Sequence, residues 1–228
     1  MAACTHGVST PSTSNATSYV SGAFTPVAND LLVVFVAATA TVAAGTMTGT
    51  GGVGFINTGI LATWNTGANT IYVFVADALA AASSQTVTFD CTGDGATGCV
   101  IEVVRVSGMT RTGNSAVRQN QSANDQAAST TPSVTFGSAC LTGNPTLGVV
   151  GNSTNPAALT TPTNWTERDD TGYGTPTTGT EYVTRDSGFT GTAMTWGSTS
   201  ASIYGVIGIE LDTSGLALHM LAMAGVGQ

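Results

Sequence analysis

Apolar residues in this chain fall in short runs rich in Val, Ile, Thr and aromatic residues, bounded by Gly, Asn, Asp or Pro. Apolar positions at helical spacing are almost absent, so the pattern predicts strands. They fall at Tyr19–Phe24, Leu31–Ala38, Gly59–Trp64, Thr70–Ala76, Gln85–Phe89 and Cys99–Val106. A second series follows at Ser133–Phe136, Thr146–Gly151, Trp165–Asp169, Thr180–Arg185, Ala193–Trp196 and Ile203–Leu211. Many short strands separated by turns are the pattern of a sandwich or barrel.

The two series match in order. TVTF at Thr86–Phe89 lies 107 positions before AMTW at Ala193–Trp196, and Ser107-Gly108 stands at the same distance from Ser214-Gly215. SGAF at Ser21–Phe24 resembles SVTF at Ser133–Phe136, 112 positions on, and VIEVVRV ending at Val106 resembles VIGIEL ending at Leu211. Several matches at nearly constant offset predict an internal duplication. The expected fold is all-β, a β-sandwich or jelly-roll-like molecule built from two related halves, 19–108 and 133–214. Each half supplies an apolar strand face, so the halves either share one sandwich or form two closely packed ones.

Three segments fall outside the halves. Residues 1–18 are rich in Ser and Thr and read as an extended N-terminal arm. Residues 109–132, rich in Asn, Gln, Ser and Ala, read as a connecting loop. Arg105, Arg111 and Arg118 lie in or just before it, and in a docking arm they would pair with carboxylates of a partner. The tail 215–228 is apolar, and Leu216–Ala224 reads as a short helix without a charged face. It either docks on its own sandwich or contacts another subunit, and Leu216, Leu218, Met220, Leu221 and Met223 are the contact candidates.

Composition narrows the functions. Charged residues make up 8% of the chain, lysine is absent, and the net charge is −8. Thr, Ser, Asn and Gly must therefore solvate the surface. So few cations do not suit nucleic acid or anionic lipid. No apolar run has the length of a membrane span. The first residues carry neither the basic stretch nor the apolar core of a secretory signal, so assembly in a cytoplasm is expected, with Cys4, Cys91, Cys99 and Cys140 reduced. A local Cys91–Cys99 bridge stays open, since the two flank a short turn.

Candidate chemistry is thin. His6 and His219 lie near opposite ends, and no G-x-S-x-G elbow is present, so no nucleophilic triad is expected. The loop DCTGDGATGC offers Asp90 and Asp94 as weak calcium ligands, without EF-hand spacing. Glu167, Asp169, Asp170, Glu181 and Asp186 supply carboxylates for glycoside chemistry, but solvation is their ordinary role. Trp64, Trp165, Trp196, Tyr173 and Tyr182 would fill a core or, on one exposed face, stack against sugars. No catalytic residue, cofactor or firm metal site is assigned.

FTPVANDLLVV (Phe24–Val34), TVTF, VIEVVRVSG (Val100–Gly108), WTERDD (Trp165–Asp170), AMTW and VIGIEL together resemble a loose class of repetitive β-proteins of tailed-phage virions and bacterial surfaces. The resemblance covers about Ser18–Asp212 and carries no catalytic residues. It implies a non-enzymatic virion protein, a capsid decoration (cement) or minor capsid protein. Such a protein would contact the major capsid protein or other virion subunits and form a homo-oligomer. The alternative is a carbohydrate-binding or fibre-type host-attachment module.

Overall fold

The computed structural model describes residues 1–39, 45–91, 95–153, 159–173 and 178–214. The tail from 215 on, with the expected helix and Leu216, Leu218, Met220, Leu221 and Met223, lies outside the described residues, as does Asp94. The first half forms β1 (Ala3–Ser12), β2 (Ser18–Val20), β3 (Leu31–Ala38), β4 (Thr46–Gly49), β5 (Phe55–Trp64), β6 (Asn69–Ala76), β7 (Val87–Asp90) and β8 (Cys99–Ser107). The second forms β9 (Val117–Ser129), β10 (Ser133–Thr135), β11 (Thr146–Asn152), β12 (Leu159–Thr160), β13 (Thr166–Gly172), β14 (Gly179–Arg185), β15 (Ala193–Thr195), β16 (Gly197–Ser198) and β17 (Ser202–Leu211). Two short 3-10 turns, Thr50–Gly52 and Gly113–Ala116, are the only helical pieces among the described residues, and no helix there is long and apolar enough to cross a membrane.

Each half is organised around one five-stranded antiparallel sheet, in the order β1-β8-β3-β6-β5 and β13-β14-β11-β17-β9. Matching β9 to β1, β11 to β3, β13 to β5, β14 to β6 and β17 to β8 makes the two orders identical. Backbone hydrogen bonds repeat as well. Phe24 N–H donates to Gln85 O at 2.9 Å, and Phe136 N–H donates to Thr192 O at 2.8 Å. Those partners are displaced by 112 and 107 positions, the offsets of the sequence matches.

The layers explain the apolar runs. β3 and β6 are buried at all eight positions, because both faces of the first sheet are covered. On the outer face, Tyr72 and Phe74 of β6 meet Phe89 of β7, in a three-stranded cover ordered β2-β7-β4. On the inner face, Phe35 of β3 meets Tyr182 of β14, with ring centroids 5.8 Å apart. Leu147, Val149, Tyr182, Ile207, Ile209 and Leu211 of the second sheet thus share one apolar cluster with the first half. A second cluster lies beyond the second sheet, where Val134 and Met194 of the β10–β15 pair, with Phe136 and Trp196 just after those strands, cover it. The molecule is two small sandwiches stacked through their large sheets.

The stack has the arrangement of a two-fold pair. Edge strand β5 lies against edge strand β9, where Thr63 N–H donates to Asn124 Oδ1 at 3.0 Å. At the other side β1 lies against β13, where Arg168 donates to Cys4 O at 2.7 Å. The edge of each copy therefore rests on the opposite edge of the other.

Two sequence expectations are corrected. Residues 1–18 are not an arm, because Ala3–Ser12 is β1, paired with β8. Residues 109–132 are not a loop, because Val117–Ser129 is the thirteen-residue β9, paired with β17. Both strands are polar edges with a partner on one side only, so neither shows the apolar pattern of the buried strands.

Candidate functional site

The sequence candidates do not converge. Asp90 ends β7, exposed, opposite Ser18 and Thr46. Among the described residues, no three His, Cys, Asp or Glu side chains stand close enough together to hold a metal ion. The three arginines are engaged within the chain. Arg105 donates to Thr25 O at 2.9 Å and lies 3.9 Å from Asp30 Oδ2. Arg111 donates to Ser214 O and stands 3.2 Å from Asp212. Arg118 bonds Glu210 Oε2 at 2.5 Å.

Trp64, Trp196, Tyr173 and Tyr182 are buried core residues, and half-buried Trp165 packs edge-on against Phe189. That places the large aromatics in the core-filling role and not on one exposed face. All four cysteines are buried free thiols. Burial, and after it the nearby Glu210, pushes Cys140 up to about 12, which keeps it protonated.

Three carboxylates that stand alone in apolar strand sequences form the polar centres of the molecule. Glu210, in VIGIEL, is fully buried and well paired. It accepts from Arg118, from Gln119 Nε2 at 2.6 Å, and from Leu141 N–H and Asn144 Nδ2 at 2.8 Å each. Burial pushes its pKa up, but these four donors outweigh burial and hold it below the ordinary carboxylate value. Glu210 thereby ties β9 and the loop before β11 to β17.

Glu181 lies on the outer face of the second sheet, directly across from Asp170. Burial pushes its pKa up to about 7; Thr161 works against the rise, and Glu167 and Asp170 add to it. Thr161 Oγ1 also donates to Glu167 Oε2 at 3.0 Å. The structure thus brings Glu167, Asp170 and Glu181 together, and sends Asp169 and Asp186 elsewhere. A carboxyl titrating near 7 suits proton transfer, but Glu181 is 1% exposed, sealed from any substrate of glycosidic size.

Glu102, in VIEVVRV, occupies the seam between the large sheets. It is fully buried, and neither carboxylate oxygen has a hydrogen-bond partner. His6 Nε2 stands 3.7 Å from its Oε2. Asp169 approaches from β13, and Asp186 accepts from Cys4 N–H at 2.8 Å nearby. Burial, and after it Asp169, raises the Glu102 pKa well above the ordinary value; the nearby Arg168 opposes the rise without overcoming it. Sequence reasoning passed over Glu102 and Glu210. The available signal was a single acid inside an otherwise apolar strand, since a buried charge must be paired or neutral.

No protein-family model matches the chain, and a search of curated proteins finds no match.

Proposed function

We propose that this chain is a structural protein of a tailed-phage virion, a capsid decoration (cement) or minor capsid protein that stabilises the shell through subunit contacts. The observation that carries this reading is the duplicated stack of sheets, in which polar chemistry is turned to internal bracing. Glu210 and all three candidate arginines hold the chain to itself. Four buried, unbridged thiols suit a protein folded in a reducing cytoplasm and assembled there onto a particle. The partners are the major capsid protein or neighbouring virion subunits, and the symmetry of a shell calls for repeated copies of this chain. Quantitative mass spectrometry of purified particles tests the reading. The chain should be present at a fixed ratio to the major capsid protein, and its absence from intact particles would overturn the proposal.

A further inference from the structure

We propose that Glu102 and His6 form a proton-operated latch that holds edge strand β1 in the seam between the two halves. The cluster is shaped by backbone register. Ser9 lies opposite Glu102 and His6 opposite Val104, which puts His6 and Ser9 on one face although they are three residues apart. In a regular strand residues three apart face opposite sides. The extra residue Gly7 restores the phase, and a Cβ there would stand 2.8 Å from Val103 O. On the facing edge, β13 shifts register between Glu167 and Asp169, and Asp169 comes opposite Tyr182 on the seam side. Two edge bulges therefore meet across the seam.

The groups around Glu102 leave its charge largely uncompensated. On β1, Ser9 Oγ is buried without a hydrogen-bond partner. On β3, the residue opposite is Phe35. On β13, Asp169 repels, and the Arg168 guanidinium is engaged with Thr184 Oγ1 and Cys4 O, each at 2.7 Å. On β14, the Tyr182 hydroxyl is buried without a hydrogen-bond partner. His6 Nε2, itself buried, stands 3.7 Å from Glu102 Oε2, while the His6 side chain as a whole is 39% exposed.

The direction of the response follows. The pKa of Glu102 is raised in the fold, so its contribution is fully present below the unfolded value of about 4.3 and is lost as pH rises through the folded value. Raising the pH therefore loosens β1. The device is independent of any role on a particle.

Hydrogen exchange of the β1 amides, corrected for intrinsic rates, tests the latch in the full chain. Between roughly pH 5 and pH 9, protection of Thr5–Thr10 should fall by about tenfold for each unit by which the fold raises the Glu102 pKa. Glu102→Gln should flatten that profile and leave the β11 amides unchanged. A second variant, Asp169→Asn, should make the fall smaller, because the repelling charge is gone. A wild-type profile that is flat, or a fall that persists unchanged in the variants that fold, overturns the proposal.

Discussion

Gly148 lies directly across from Gly208, and Gly151 across from Gly205, on neighbouring strands of the second sheet. A Cβ on Gly148 would meet Met194 Sδ and the Trp196 ring, and one on Gly208 would meet Phe136. On the opposite face, a Cβ on Gly151 would stand 2.6 Å from the Trp64 ring, and one on Gly205 would stand 2.7 Å from Thr63 O. Each glycine pair is thus a dent, and the seam-side dent receives a tryptophan from the other half. Gly151→Ala should cost about 1–3 kcal/mol by overpacking, read in urea unfolding. Glu210→Ala should cost about 3–5 kcal/mol, because it strands Arg118 and three further donors. An unchanged midpoint in the first variant would refute the tight packing on Trp64, and in the second the bracing by Glu210. Glu181 acts in the opposite sense to Glu210. With a folded pKa of about 7, its contribution is present below the unfolded value and lost as pH rises through about 7. Glu181→Gln should remove a fall of about 1–3 kcal/mol from the stability profile over that interval. Glu210, held low, loses its contribution as pH falls instead.

Edge and interior strands differ throughout the large sheets. The pairings β3–β6, β3–β8, β11–β14 and β11–β17 run without a register shift. All four edge strands are bulged: β1 at His6/Val8, β5 at Asn57/Leu61, β13 at Glu167/Asp169, and β9 at several points along β17. Bulges twist an edge away from strand addition by another chain. Strand addition by another chain at these four edges is therefore disfavoured. The same division governs what was legible in the sequence. Leu31–Ala38 was legible to the residue, because a strand buried on both sides is continuously apolar. ACTHGVSTPS and VRQNQSANDQAAS were illegible, because an edge strand with one neighbour needs no alternation. The sequence matches fall at Ser21–Phe24, β7 and β8, yet β1 and β9 share no similarity that would have carried the matching strand order further. Glu102 and Glu210 were visible only as misplaced charges, since pairing depends on partners that lie far away in sequence.

As a whole, the molecule has few charges and uses its cations internally. Arg168 and Arg185 are also engaged, Arg185 with Ser187 O and Gly188 O. On the proposed function, attachment to a particle by such a surface should be nearly independent of ionic strength. Cosedimentation with shells lacking the protein should persist at about 1 M salt, where exposed charges more than about 3 Å apart are screened; release there would point to ionic docking. Two sandwiches whose large sheets have matching strand orders and share a core should behave as a single cooperative body. Differential scanning calorimetry of the full chain decides whether they do. One transition is expected, with calorimetric and van't Hoff enthalpies that agree, at about 0.7 kcal/mol per residue near 60 °C. Two resolved transitions, each carrying about half of that heat, would mean that the halves fold separately and share no core.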